Sequence, residues 1–392
     1  MKKALPLVFL VLLAISCKHQ TDPDPASTFA MSAWVDYNTS PVSVQLRGSV
    51  FQSMAGPVET PFDKAEVYVS ENQASGYQLV ATTSEKKLSL PSLKPGTTYY
   101  IQVKGTLGNT SVDSKPILLV NDVVTPTRKL MPYDPMAMYY VSPAGLPVIQ
   151  QKADYTNISR LLTTTVIDAA GTKQVADYTS PTTSQPLFKG WSTTNQRAFF
   201  EITRSAKRAL VSYDLAAKTY ADVPLPAEAE LWHYALAPDG QQVVFTDYKR
   251  QGLWYFDART NTQKQLDSQV TVYDLSWTPD SQRIWLTTPS SSGTASVKQY
   301  DPVTSTKTDV FSEGTTLSGA QSSPDGKWIL YLNNASGQDA LWLRNKETGS
   351  KRPVGFANQY GWLSDGTFWA NYRANESKTP TERESFLWVF VP

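Results

Sequence analysis

Residues 142–391 repeat, and that repeat limits what the chain can fold into more than any other feature. One column is a turn after a strand: Ser142-Pro-Ala-Gly, Ser192-Thr-Thr-Asn, Ala237-Pro-Asp-Gly, Thr278-Pro-Asp-Ser, Ser323-Pro-Asp-Gly and Leu363-Ser-Asp-Gly. The third residues of these turns (Ala144, Thr194, Asp239, Asp280, Asp325, Asp365) are spaced 50, 45, 41, 45 and 40 apart. A second column closes an apolar strand later in each unit: Asp168, Asp214, Asp257, Asp301, Asn345 and Val391, spaced 46, 43, 44, 44 and 46. Two independent columns hold one period through six units, which chance does not produce.

The content of each unit agrees. After the turn comes an apolar strand, as in Val243–Phe245, Ile284–Leu286 and Trp328–Tyr331. A third follows, as in Leu210–Tyr213, Leu253–Phe256, Leu341–Leu343 and Leu387–Phe390. Ten of the eleven tryptophans fall from Trp191 onward, and large rings suit the wedge between neighbouring sheets. The residue before each turn (Val141, Trp191, Leu236, Trp277, Ser322, Trp362) forms a mostly apolar column. Four short strands per unit at this period predict a six-bladed β-propeller over 123–392. The pattern resembles the TolB-like family of propeller repeats. That resemblance implies a partner that is another envelope protein, such as an outer-membrane transporter assembly.

The sixth unit has only three strands before Pro392, so its outermost strand must come from elsewhere or leave an open edge. The extended segment Asp122–Leu130 is placed to supply it. The expectation is that 123–131 pairs with 385–391, with Pro126 where its missing N–H does not interrupt the ladder. Such a latch is expected to hold the preceding domain beside the sixth blade.

Residues 28–122 alternate apolar and polar in short runs, as in Val42–Val50, Ala65–Val69 and Tyr99–Val103. About seven such strands suit a β-sandwich. The segment Leu93-Lys-Pro-Gly-Thr-Thr-Tyr-Tyr-Ile-Gln-Val103 resembles fibronectin type III domains, an immunoglobulin-like sandwich. The resemblance implies that Tyr99 buries its ring and bonds nearby backbone through its hydroxyl. The overall fold class is thus all-β, a sandwich followed by a propeller.

At the start, Lys2 and Lys3 precede an apolar run over 4–15. That run is shorter than the roughly 20 residues a spanning helix needs and fits a signal peptide over 1–16. Ala14-Ile15-Ser16-Cys17 resembles the bacterial lipobox, which implies lipid on Cys17 and membrane attachment through it. Residues 17–27 read as a polar tether. Lys18 after the cysteine favours the outer membrane by the same resemblance, and Asp22 with Asp24 is similar to surface-lipoprotein signals of Bacteroidetes. Cys17 is also the only cysteine, so no disulfide forms within the chain.

The chain carries 36 Lys+Arg and 35 Asp+Glu; without Lys2 and Lys3 the balance is 34 against 35. Near-neutrality gives no global pull on nucleic acid. Only two histidines occur, His19 in the tether and His233, so neither a metal site nor a cofactor is expected. No Gly-x-Ser-x-Gly elbow or His-Glu-x-x-His pair appears, and no catalytic residue is assigned. The recurrent turn aspartates are expected to bond their own turns. His233 opens an innermost strand, with Asp274 and Gln359 at counterpart positions. They form either a small polar cluster at the channel mouth or, more simply, isolated residues with no catalytic task. Tyr140, Tyr234 and Tyr360 are channel tyrosines that suit binding as well as chemistry. The first functional expectation is therefore a non-catalytic binding or scaffold lipoprotein at the outer membrane. The alternative is a surface enzyme or binder acting on glycan or peptide through the channel.

Overall fold

The computed structural model describes residues 29–392 except 37–41, 53–55, 91–92, 95–96, 122–123, 155–160, 172, 176–185, 193, 195, 205–206, 227–228, 230, 248–251, 289–294, 314–316, 334–339 and 372–384. The signal segment, Cys17, His19 and the tether lie outside the described residues. Among those described, no α-helix occurs and the strands form eight antiparallel sheets.

The first two sheets are built from strict alternation. Phe29, Met31, Ala33 and Val35 point to one side of the strand Phe29–Asp36 and are buried, as the two-residue period requires. They share a core with Val67, Ile101 and Val103 of the opposing sheet, whose order is Gln78–Thr83, Lys64–Ser70, Thr98–Leu107 and Thr110–Asp113. Tyr99 is buried, and its hydroxyl accepts the N–H of Lys94 at 3.1 Å, the corner bond expected of it. The turn residues Pro95 and Gly96 lie outside the description.

Six sheets of four strands follow, the blades of a β-propeller. Their innermost strands are Ala137–Val141, Leu187–Trp191, Leu231–Leu236, Asp274–Trp277, Leu317–Ser322 and Tyr360–Trp362. In blades one to five, strand order from inside outward is chain order. The core is a set of apolar seams rather than one centre. Phe199 and Leu210 of blade two meet Leu236, Val243 and Phe245 of blade three, and Val244 and Leu253 of blade three meet Ile284 and Leu286 of blade four. The seam between blades four and five, around Trp285, Phe311 and Tyr331, is continuous with the core of the first two sheets.

Blade six is completed by the start of the repeat region. Its order is Tyr360–Trp362, Phe368–Ala370, Phe386–Phe390, then Pro126–Pro132. The outer pair runs antiparallel, Pro126 opposite Phe390 and Pro132 opposite Phe386, as the missing fourth strand demanded. The register slips between Pro126 and Arg128, so the ladder accommodates a residue with no N–H. There Thr127 donates its hydroxyl to the Val389 carbonyl at 2.9 Å. The chain before the latch touches more than blade six. Val124 donates its N–H to Pro353 O at 2.9 Å, on the outer strand of blade five, and the preceding sheets share the four–five seam. Val124 also packs with Val354 of blade five and Phe368 and Phe390 of blade six, so the entering chain crosses blade five's outer edge into the five–six seam while the preceding sheets meet the four–five seam.

Candidate functional site

All six inner strands start at the same end of the ring, so residues three before the Val141/Trp191 column share one level at its mouth. That level is Met138, Phe188, His233, Asp274, Gly319 and Gln359. Most of these groups are engaged with a neighbouring blade.

Gln359 is buried and spans the ring's closing seam. Its Oε1 accepts the N–H of Tyr139 at 2.6 Å and its Nε2 donates to the Ala137 carbonyl at 3.0 Å. Asp274 Oδ2 accepts the N–H of Gly319 at 2.7 Å, and burial pushes its carboxyl upward, opposed by that bond and by its own-side bond from Leu275. The carbonyl of the same Gly319 accepts the Tyr360 hydroxyl at 2.7 Å. Gly319 has φ +63°, and a Cβ there would stand 1.9 Å from Tyr360 Oη. Only glycine admits a bond from each side.

The Tyr234 hydroxyl donates to Glu201 of blade two. Burial raises the Tyr234 hydroxyl far above its ordinary range, and the bond to Glu201 adds to this. Burial alone would raise Glu201 too, but Tyr234, Lys189 at 3.1 Å and Arg208 at 3.8 Å hold its carboxyl low. Tyr140 belongs to a different column. Its ring stacks on Phe188 with centroids 4.3 Å apart; the true counterpart of Tyr234 and Tyr360 is Tyr139, whose hydroxyl accepts the N–H of Asp134 at 2.9 Å.

The buried column carries its own staples. The indoles of Trp191, Trp277 and Trp362 donate to the carbonyls of Tyr140, Ala235 and Gln321 in the preceding blade, at 3.2, 3.0 and 3.1 Å. At the opposite end of the ring, the turn aspartates bond their own loops. Asp239, Asp280, Asp325 and Asp365 each accept the N–H two residues on, at 2.8 to 3.1 Å. Asp214, Asp257 and Asp301 do the same in the outer hairpins.

Of the expected site residues, the structure brings His233 and Asp274 together, near enough for the aspartate's charge to favour the imidazolium. Burial outweighs that charge and holds His233 below the usual histidine range. Gln359 and Tyr360 sit elsewhere on the ring. Sequence reasoning missed two charged hubs, Glu201 and Glu313. Glu313 accepts Tyr331 Oη at 2.8 Å and meets Lys351 at 3.0 Å and Arg344 at 3.6 Å. The repeat gave no signal for Glu201, whereas Glu313 has an acidic counterpart in Asp267, which also ends a fourth strand and accepts a tyrosine hydroxyl (Tyr300, 2.7 Å) and a lysine (Lys307, 2.9 Å) of the next blade. Among the described residues, no group of three or more His, Cys, Asp or Glu is disposed to hold a metal ion.

Beside His233 lies a crevice of ≈ 590 Å³ between blades three and four. It is lined by Trp232, His233, Thr246, Asp247, Gly252 and the segment Ser268–Val272.

This architecture defines an all-β protein with a six-bladed propeller. No family model and no curated protein matches the chain. Solved structures similar to it include TolB from Acinetobacter baumannii, 15% identical over 76% of this chain and 77% of that one, TM-score 0.46. An oligogalacturonate lyase in complex with manganese is 12% identical over 93% and 97%, TM-score 0.48. An oligogalacturonate lyase from Vibrio parahaemolyticus is 12% identical over 76% and 83%, TM-score 0.42. The fold assignment rests on the strand pairing itself.

Proposed function

We propose that this chain is a lipid-anchored envelope protein whose propeller is a rigid, non-catalytic binding scaffold, with the fibronectin-like sandwich as spacer. One observation carries the reading: the polar side chains converging on the mouth are engaged in joining blades. Gln359, Asp274, Tyr360 and Tyr234 each bond across a seam, which stiffens the rim and leaves their polar groups committed to neighbouring blades. Among the described residues, the rim also presents large apolar side chains outward: Met136, Met138 and Tyr273 are 58, 47 and 51% exposed at the starts of inner strands. Methionine and tyrosine are the residue types that protein interfaces favour. The partner is another envelope or outer-membrane protein, reached from a membrane to which lipid on Cys17 attaches the chain.

Affinity purification of the tagged chain from detergent-solubilised envelopes tests this. A stoichiometric partner should co-purify and be lost from the Met138→Asp/Tyr273→Ala double variant. Repeated recovery of the bare monomer overturns the reading. Mass spectrometry of the mature amino terminus tests the anchor; an unmodified Cys17 would refute it.

A further inference from the structure

We propose that the chain forms a two-fold dimer through the free edge of its sandwich, with strand Gln78–Thr83 pairing antiparallel to the same strand of a second copy. This goes beyond the scaffold reading and does not depend on it, for it uses the sandwich and no part of the propeller.

Gln78–Thr83 is the end strand of its sheet. Its inner side pairs with Lys64–Ser70, and among the described residues its outer N–H and C=O groups meet no other strand. Such an edge is a template for another chain, and proteins blunt it with charge or proline. The other edges of this molecule are blunted. The blades' outer strands carry Lys173, Asp222, Lys264, Lys307, Lys351 and Arg128. In the sandwich, Phe29–Asp36, Gly56–Glu59, Lys87–Ser89 and Thr110–Asp113 each have a charged end. Ile117–Val120 has none, but it follows Lys115 and Pro116, and no residue in it is exposed. Gln-Leu-Val-Ala-Thr-Thr has neither charge nor proline, and no residue in it is buried.

The register gives this edge an apolar face. Val67 stands opposite Ala81 and Tyr68 opposite Leu79, so Val80 is the extra residue of a β-bulge. Val67 and Val69 point into the core, which turns Tyr68 to the outer face. The bulge sets Leu79 and Val80 together across from Tyr68, and they are 52 and 48% exposed. Among the described large apolar side chains that are exposed, these two alone are consecutive. In a regular strand one of them would have turned inward.

Symmetry selects the occupant. Antiparallel pairing of a strand with its own copy uses a two-fold axis perpendicular to the sheet, so the outer face of one copy continues into that of the other. Leu79 and Val80 of both copies then join in one apolar cluster. The same operation sets like against like, so any charge on the strand would repel its own image, and the strand has none. A foreign strand is chosen by charges or side-chain pockets, and this edge offers only its own apolar pair. Both copies use the same patch, so the contact closes at two and builds no fibre.

One strand pair with four apolar side chains falls below the roughly 1,200 Å² of stable interfaces, so the dimer should be weak, with Kd on the order of 10 μM. Sedimentation velocity of the full chain over a concentration series should show reversible monomer–dimer exchange. Val80→Lys and Val80→Glu should each weaken dimerisation more than about tenfold, because like charges then meet across the axis. An equimolar mixture of the two variants should form the mixed dimer. Both should melt with the wild type, since the side chain stands on an exposed face. A chain monomeric at every concentration, association unchanged in both variants, or a mixture that stays monomeric overturns the proposal. A monomer whose edge takes up another envelope protein, and loses it on Val80→Lys, overturns it in favour of strand addition by a partner. Dimerisation without a captured partner, or the reverse, separates it from the scaffold reading.

Discussion

Gln359 joins the sixth blade to the first through Tyr139, accepting that residue's backbone N–H at 2.6 Å while its own amide donates to Ala137. Both backbone groups are buried between blades. Gln359→Leu should therefore cost about 1–3 kcal/mol, the penalty for leaving such groups unpaired, measurable as a lower midpoint in urea. Gln359→Glu separates the two bonds. Its carboxylate can still accept from Tyr139 but confronts the Ala137 carbonyl, and only the protonated acid can donate there. The variant's carboxyl is then raised in the folded state, so its deficit against wild type should widen as pH rises through that value.

Three indole bonds alternate around the ring, and Trp277 to Ala235 at 3.0 Å is representative. Trp277→Phe keeps an aromatic ring in the seam but strands the carbonyl. We expect a loss of about 1–3 kcal/mol from the unpaired acceptor and lost volume together. A melting temperature equal to wild type would show that the bond contributes nothing net.

The latch makes the last strand indispensable. Removing 386–392 deletes a strand paired on both sides, with Phe390 stacked on Phe368 at 5.0 Å and 7°. Phe390 is fully buried, so even Phe390→Ala should cost about 3–5 kcal/mol. The truncation should abolish cooperative unfolding of the whole ring by calorimetry. A truncated chain that melts like the intact one excludes the closure described here.

Lys218 is an exposed residue at φ +59°, in the outer hairpin of blade two. Its counterparts Gly171 and Gly349 are glycines with φ +74° and +73°. A side chain in this region costs roughly 1–2 kcal/mol, offset in part by the greater freedom of glycine when unfolded. Lys218→Gly should stabilise the protein by a few tenths of a kcal/mol to about 1 kcal/mol. A loss of stability would contradict the strain argument.

The turn carboxylates predict an acid limb. The Ala217 N–H holds Asp214 below the usual range, the Ser323 hydroxyl does so for Asp325, and the Thr367 hydroxyl for Asp365. Their folded values are depressed, so the stability they add is complete above the unfolded value of about 4 and is lost as pH falls through the folded ones. Midpoints in urea should hold between pH 7 and 5 and drop below about pH 4. Asp325→Asn should flatten part of that limb.

The strand periods, the six units, the turn aspartates and the latch were legible because each depends on local pattern or strand count. The segment 123–131 could be placed beside 385–391 because one blade lacked a strand, though the register that sets Pro126 opposite Phe390 could not be read in advance. The roles of Gln359, Asp274 and Tyr360 were not legible. Each is decided by what the adjacent blade presents some 40 residues away or, for Gln359, across the whole ring. Tyr140 was misplaced for a simpler reason: it stands one position nearer the turn than Tyr234 and Tyr360, and one position reverses the face of a strand. Counting back from Val141 would have chosen Tyr139. Glu201 recurs in no other unit, so the period is silent about it, while the pairing of Glu313 with Asp267 as counterparts shows only once the strand register is known.

The bond from Thr127 to Val389 spans 262 positions of sequence. A ribosome releases the first of these residues long before the second. During that interval the latch strand Pro126–Pro132 has no partner, and the first blade has no neighbour on one side. Contacts of such long separation form slowly and leave apolar edges open while they wait. If the chain is threaded through a translocase amino terminus first, the ring cannot close until nearly all of it has crossed. Holding factors that shield unpaired strands should therefore matter to its biogenesis, and the demand for them should fall in a circular permutant whose new ends lie between two intact blades.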